Sequence, residues 1–520
     1  MEIIYWLIII FIISLCVYFA LIKPLLSLIQ HSSSNKAKLP PGPLTIPIIS
    51  DIKLFLKLKD PSDFEPLIHK LALKYGPIFN LKIALHNIVF ITKHDLAHKA
   101  LIQHGPICAD RPPMNEVHSL MTSNRHNIHS AAYGPLWRAF RRNISSGILH
   151  SSRFKFYNTA RKWALDVLKE RLNKEAQLGK CHVQVMKHFK YTMFCLLSYI
   201  CFGDKFDEKV IGDIEDMERN IIMSLSRFNL LGAFPKLTKI LMPKRWEELH
   251  ELINNQERVF VPLIRARKEK QQRNDDVVAY VDTLLNLSVP NDQEGGVRKL
   301  SEKEIATLCT EFFNAAADTT STTMEWIMAN LVKNPKIQEK LYSEIQGVVS
   351  SRDGGEEGDE IKDEELQKMK YLKAVVLEGL RRHPPAHIGI PHAVKDDVIL
   401  EGHLVPRDAI IIFTIAEMGW DPTVWEDPME FKPERFLVSE MDGLDITGTR
   451  EIKMMPFGAG RRICPGLSFG MLLLEYLVAN LVKDFKWTAR MGDEVDLSEK
   501  IELTSIMKHP LCAHISSRMA

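Results

Sequence analysis

Cys464 is the residue of this chain best placed to do chemistry, set in the run PFGAGRRICPG from Pro456 to Gly466. Gly458, Gly460 and Gly466 fall where backbone must turn tightly or come close to a bulky planar group, and Arg461 and Arg462 bring positive charge beside the sulfur. The apolar run LSFGMLLLEYLVANLVKDF follows, a helical pattern whose first turn Pro465 is expected to open. A helix N-terminus there would lower the thiol pKa and turn a weak ligand into a strong anionic one for a metal. The alternative is one more buried thiol, because cysteine is among the most buried residue types. The other seven cysteines (Cys16, Cys108, Cys181, Cys195, Cys201, Cys309 and Cys512) show no CxxC pair or metal-finger spacing and read as core fillers. Nothing resembles a disulfide framework, so the chain is expected to work in a reducing compartment.

A second constellation interrupts a long helix. Ser301 and Glu304 form a capping box, and apolar residues recur at helical spacing until Asn334 and Pro335 stop the pattern. The run spans roughly 45 Å at about 1.5 Å per residue. At its centre DTTSTT, Asp318 to Thr323, places an acid and several hydroxyls where a purely structural core would be apolar. Solvent-facing threonines are the plainer reading of the same residues.

Further polar residues share faces at helical spacing. Trp137 and Arg141 in YGPLWRAFRRN are four apart, and Glu378 and Arg381 in KYLKAVVLEGLRRHPP are three apart. His392 in IPHAVKDD stands alone, as a satisfied polar histidine commonly does. His118, His126 and His129 cluster in sequence, but no regular spacing or carboxylate partner marks them as metal ligands.

The elements that must hold these groups are mostly helical. Strand patterns occur at Pro77 to Thr92 and Val398 to Ile415, and KEKQQRNDD, SVPNDQEGGVRK and SSRDGGEEGDE read as surface loops. With 520 residues, 46% hydrophobic and 25% charged, the chain can bury a sizeable core, and a net charge of +2 gives no argument for nucleic-acid binding. Ile3 to Ile22 carries no charge and is long enough to span a bilayer; Lys23, Lys36 and Lys38 follow it, which places the rest of the chain in the cytosol. No cleavage site follows, so the segment is read as a retained anchor. HSSSNKAK is a polar linker, and LPPGP, Leu39 to Pro43, a stiff extended turn.

PFGAGRRICPG resembles the signature FxxGxRxCxG of the cytochrome P450 superfamily, with Phe457, Gly460, Arg462, Cys464 and Gly466 at its five fixed positions. The resemblance implies a mainly α fold with a minor β region (α+β), preceded by a single N-terminal transmembrane helix. It divides the chain into a membrane anchor at 1–23, a linker and proline-rich hinge at 24–43, and a heme-thiolate catalytic domain at 44–520. It implies heme b (iron protoporphyrin IX) with Cys464 as the ligand of the iron, Phe457 and Gly466 close to the sulfur, and Arg462, Trp137, Arg141 and His392 toward the propionates. AAADTT, Ala315 to Thr320, is similar to the family's oxygen-activating motif [AG]GxDTT, so Asp318 and Thr319 would relay protons to dioxygen through water. Ala316 departs from the usual glycine, which narrows the groove by a methyl. Glu378 and Arg381 match the family's ExxR pair, joined by Arg435 of the PERF run, as a structural brace.

The stretch from Gly105 to Ala132, PAHIGI and LTSIM would line a hydrophobic pocket. SNRHNIHSAAYGPLWRAFRRN with PPAHIGIPH looks most like plant microsomal members and their family 89. The implied activity is insertion of one oxygen atom from O2 into a hydrophobic small molecule. Electrons would come from NADPH through a membrane-bound NADPH-cytochrome reductase docked on Arg138, Arg142, Lys453 and Arg461. The implied location is the endoplasmic reticulum membrane, with the catalytic domain facing the cytosol. A same-fold enzyme that rearranges peroxides without a reductase, and a non-enzymatic heme-binding membrane protein, are the rival readings.

Overall fold

Helical periodicity and strand alternation sort the chain as expected in a computed structural model that describes residues 37–43, 63–83, 86–177, 182–224, 226–271, 278–291, 295–352, 360–438, 443–490 and 492–518. The expected anchor at 1–23 and the linker to residue 36 lie outside the described residues, as do Cys16 and Cys181. Among the described residues no helix is long and apolar enough to cross a membrane.

The elements that frame the site are, in chain order, helix α1 (Phe64–Tyr75), strands β1 (Ile78–Ile83) and β2 (His86–Ile91), and helices α2 (Pro135–Gly147), α3 (Val185–Phe202) and α4 (Glu208–Ser224). Helices α5 (Pro243–Gln271), α6 (Glu302–Lys333) and α7 (Lys370–Arg382) follow, then strands β3 (His392–Ala393) and β4 (Ile410–Phe413) and helix α8 (Leu467–Asp484). The larger sheet runs β1-β2-β4-β3: β2 lies antiparallel to β1 with Ile78 opposite Ile91, and parallel to β4 with Ile88 opposite Ile410. His392 pairs with Ile411 at the edge of that sheet.

Helix α6 is the axis of the domain. Its first turn is closed as the capping box requires: the Ser301 N–H donates to Glu304 Oε2 at 2.8 Å, and the Glu304 N–H donates to Ser301 Oγ at 3.3 Å. The N-terminal half, from Ile305 to Ala317, packs into one apolar cluster with α2, α3 and α4. The C-terminal half, from Met324 to Val332, packs into a second with α7 and α8. Each fully buried Leu, Ile or Phe in these layers contributes roughly 1.5–3 kcal/mol relative to exposure. Gly379 of α7 lets the two helices approach closely, since a Cβ there would run into Ile327 of α6. The polar DTTSTT run begins where the two clusters meet.

Some connectors depart from the sequence reading. SVPNDQEGGVRK contains a two-stranded hairpin, with Val289 opposite Arg298, and KEKQ is the last turn of α5. Strands of only three residues leave no run of alternation to read in the first, and the helix simply runs on in the second. Among the other cysteines Cys108, Cys195, Cys201 and Cys309 are buried as expected, but Cys512 is exposed at the start of the strand Cys512–Ser517.

Candidate functional site

The cysteine loop is a closed turn. The Cys464 N–H donates to the Phe457 carbonyl at 2.9 Å, and Gly460 opens a short 3-10 turn, Gly460–Arg462, at φ 71°. A Cβ on Gly460 would collide with the Leu101 carbonyl, so two backbones meet there and only glycine fits. Helix α8 starts at Leu467 with Gly466 as its N-cap, three residues beyond Cys464 and later than the expected start at Pro465. The loop closure holds Pro465 in a turn ahead of the helix. Phe457 packs on α8 beside Gly470.

The electrostatics of the sulfur also differ from expectation. Burial pushes the Cys464 thiol up, while the Gly466 N–H and the Arg141 guanidinium favour the thiolate. With the helix start set back, the dipole alone does not overcome desolvation. A cation bound to the sulfur would tip the balance, because metal coordination deprotonates a thiol outright. The donor set therefore fits a metal-bound thiolate.

Around the loop lies a group of cations with few anions. Arg141 of α2 acts on the sulfur and is itself lowered by burial. Arg462 stands 4.9 Å from the Trp137 ring, and its Nε and Nη2 donate to the Ala109 and Ala131 carbonyls at 2.7 Å each. Burial lowers Arg462 to about 10 and Arg111 to about 9, with Arg462 adding to the effect on Arg111. His392 donates from Nδ1 to the Cys108 carbonyl at 2.7 Å; burial, then Arg111, holds it neutral at about 3. Trp137, Arg141, His392, Arg462 and Cys464 are thus brought to one region, and the surplus of buried and half-buried guanidinium groups suits a ligand with carboxylates. Arg111 belongs to this group and was not singled out in sequence, where it is one arginine before two prolines.

One strap ties the loop to α6. Glu311 of α6 accepts the Ile128 N–H at 2.7 Å and the His129 N–H at 2.6 Å. The Ile128 carbonyl accepts from Arg462 Nη1 at 3.2 Å. The histidine cluster has carboxylate partners after all, His129 with Glu311 at 2.7 Å and His126 with Glu304 at 3.4 Å, supplied by the distant helix. Among the described residues no group of three or more His, Cys, Asp and Glu could hold a metal ion.

Further along α6 the burial pattern breaks. Ala315 is exposed in mid-helix, and Ala316, Thr319 and Thr320 are half-buried, whereas the following residues to Val332 are all buried. Thr319 Oγ1 donates to the Ala315 carbonyl at 2.7 Å on this open face. Asp318 points elsewhere: its Oδ1 is paired with Lys190 of α3 at 2.7 Å. Adjacent residues on a helix diverge by about 100°, so the two expected relay groups are neighbours without facing the same way. Lys190 had no signal in sequence.

Glu378 and Arg381 of the brace are fully buried and Arg435 half-buried. Arg381 donates from Nε to Glu378 Oε2 at 2.7 Å and from Nη2 to Oε1 at 2.9 Å, and Arg435 Nε reaches Oε1 at 3.1 Å. Arg381 Nη1 also donates to the Gly419 and Pro428 carbonyls at 2.7 Å each.

The segments at Pro385–Ile390 and Leu503–Met507 meet where the Ser505 N–H donates to the Pro385 carbonyl at 2.9 Å, beside a second charged network. His387 lies 3.1 Å from Glu499 through Nε2 and 2.8 Å from Glu65 of α1 through Nδ1, and His383 Nδ1 lies 2.6 Å from Glu499. Burial opposes a charge on His387, but Glu499 and Glu65 outweigh it and raise the imidazole from 6.5 to about 9. The stabilisation is therefore complete below pH 6.5 and lost as pH rises through about 9. That rise from 6.5 to about 9 corresponds to about 3 kcal/mol. The melting-temperature advantage of the natural protein over His387→Gln should be full near pH 6.5 and shrink toward pH 10, read by thermal unfolding in matched buffers. A gap that stays constant over this range rules out the charged imidazole.

The family model for cytochrome P450 matches residues 40–515. Cytochrome P450 89A9 of Arabidopsis thaliana is 47% identical over 486 residues, 92% of this chain and 94% of that protein. Geraniol 8-hydroxylase of Catharanthus roseus is 29% identical over 93% of this chain and 95% of its own length. A zebra fish cytochrome P450 solved with progesterone superposes with a TM-score of 0.72 at 23% identity, covering 87% of this chain and 99% of that one. The chain belongs to the cytochrome P450 family. It is a P450 monooxygenase of the plant family 89 type, and heme b is its cofactor.

Proposed function

We propose that this protein inserts one oxygen atom from O2 into a hydrophobic small molecule of plant specialised metabolism, using electrons from an NADPH-dependent reductase at the endoplasmic reticulum. The open face of α6 between Ala315 and Thr320 carries this reading, because a helix buried on both sides of it has no packing reason to present hydroxyls there. Relatives that include a geraniol 8-hydroxylase and a costunolide synthase support a small organic substrate.

In this reading Cys464 holds the heme iron, Phe457 and Gly466 shape the sulfur's surroundings, and Trp137, Arg141, His392 and Arg462 receive the propionates. Bound heme supplies the oxygen-activating chemistry. His392, being neutral, would serve by hydrogen bonding, while Arg141 and Arg462 supply charge. Thr319 holds a proton on the open face, and Asp318, once it separates from Lys190 and takes up a proton from water, passes that proton on. Thr319→Ala is expected to raise the hydrogen peroxide released per NADPH several-fold, by analogy with the loss of a general acid. Unchanged peroxide release in the reconstituted system would remove Thr319 from the relay.

The anchor at 1–23 would hold the domain on the membrane, with LPPGP as its hinge. The short helices Asn229–Ala233 and Pro235–Leu241 support this attachment, since Leu230, Phe234, Leu237, Ile240 and Leu241 are exposed around them. Exposed Arg138, Arg142 and Arg461, with Lys453, form the rim on which an acidic reductase surface would dock. Expression with a reductase, followed by untargeted comparison of metabolites, tests the reading. An oxygenated product dependent on NADPH is expected, and turnover of organic hydroperoxides without NADPH would replace the monooxygenase reading.

A further inference from the structure

We infer that His387 is a positioning residue for the substrate chamber: its ring, held between Glu65 and Glu499, fixes the wall segment Ile388–Ile390 against the wall at Leu503. The inference rests on the reading of Pro385–Ile390 and Leu503–Met507 as chamber walls.

The surroundings of the ring set its charge. Nδ1 lies 2.8 Å and 2.9 Å from the two carboxylate oxygens of Glu65, and Nε2 lies 3.1 Å from Oε2 of Glu499. A bare ring nitrogen would turn its lone pair on a carboxylate oxygen, so both nitrogens carry protons and the ring is a cation. The Trp420 ring meets it edge-on with centroids 5.1 Å apart. The other polar groups near by are engaged with other partners. His383 Nδ1 stands 2.6 Å, Arg382 Nη1 3.6 Å and Ser505 Oγ 3.4 Å from the Glu499 carboxylate. His383, stacked on Trp326 of α6 at 4.0 Å, is held neutral at about 4, chiefly by burial. One turn along α1 from Glu65, His69 pairs with Glu417 at 2.7 Å.

Exchanging a buried ion pair for apolar side chains of like volume commonly leaves stability unchanged or raised, so packing alone does not call for a cation between two acids. What the ring secures is a stretch with little core of its own. From Ala386 to Ile390, His387 is the one buried side chain. The backbone around it is tied on several sides: the His387 carbonyl accepts the Ala416 N–H at 3.2 Å, and the Gly389 N–H donates to the Phe413 carbonyl at 2.8 Å. Arg111 Nη1 donates to the Ile390 and Pro391 carbonyls at 3.0 Å and 2.8 Å.

The same ring reaches the opposite wall. Glu499 opens the strand Glu499–Ile501, which pairs with Ser505–Met507. Ser505 is fastened to α6 as well, since its carbonyl accepts from Trp326 Nε1 at 2.7 Å. Thr504 meets Thr322 of α6 at 3.3 Å between hydroxyls, three residues beyond Thr319 on the open face. Ile390 and Leu503, the large apolar side chains that these ties carry, are left 54% and 51% exposed. His387 therefore couples the two walls through one carboxylate and couples both to α1 through the other.

The test uses the full-length holoenzyme and two probes that ligate heme iron, imidazole and phenylimidazole, the second of which must also fit between the walls. Affinities are read from the Soret shift and referred to the neutral azole. His387→Gln is expected to weaken phenylimidazole relative to imidazole at least about fivefold. In the natural protein the same ratio should drift toward that of His387→Gln as pH rises through about 9, where the ring loses its proton, and in the variant it should stay flat. Should His387→Gln fail to take up heme, Glu65→Gln removes one carboxylate from outside the chamber and should shift the ratio the same way. An unchanged ratio in a variant that retains heme, or a ratio in the natural protein that is flat with pH, overturns the role of His387. Ile390→Trp separates the two levels, because it should exclude phenylimidazole and spare imidazole. A shift there without one in His387→Gln defeats His387 alone, and no shift in Ile390→Trp defeats the reading of the walls.

Discussion

Cys464→Ser is expected to yield protein whose reduced form under carbon monoxide lacks the red-shifted Soret band and whose monooxygenase turnover is abolished. An alcohol is far harder to deprotonate than a thiol and is a poor match for iron in this site. The local groups cannot compensate. Burial already disfavours the anion at position 464, and one N–H from Gly466 and the Arg141 charge are all that oppose it. A variant with an unaltered spectrum and unaltered turnover would show that another group ligates the iron.

Glu378→Ala is expected to destabilise the domain by about 3–5 kcal/mol, the usual consequence of stranding a buried charge. Arg381, with 0% of its side chain exposed, would lose both carboxylate contacts, and Arg435 one. The Lys432 N–H would also lose its 2.8 Å acceptor. The carbonyls of Gly419, Pro428 and Glu430 that hold Arg381 lie in the chain between β4 and the PERF turn. Poor heme retention should therefore accompany the fall in melting temperature. A Glu378→Ala protein that melts within a degree or two of the natural one would show that this pair does not brace the fold.

Much of the site was legible in the residues because its parts are local. The capping box at Ser301, the shared faces of Trp137 with Arg141 and Glu378 with Arg381, and the glycines of the cysteine loop all follow from short-range geometry. What depends on distant elements was not legible. Arg111, Lys190 and Glu311 gain their meaning only when segments tens to hundreds of residues apart are packed together. The direction of the Cys464 shift failed for a related reason: a motif announces a nearby helix but neither its first residue nor how dry the sulfur is. The hairpin at Ser288–Lys299 was read as a loop because its strands are only three residues long, too short for the one buried side chain, Val289, to register as alternation.

The strap between Glu311 and Arg462 has a mechanical corollary. Its N–H groups are fastened to α6, and its carbonyls to the arginine two residues from the Cys464 thiol. The short segment Ile128–Ala131 is thereby tied to α6 on one side and to the loop of Cys464 on the other, so a shift of either anchor would be felt as strain in the few residues between them.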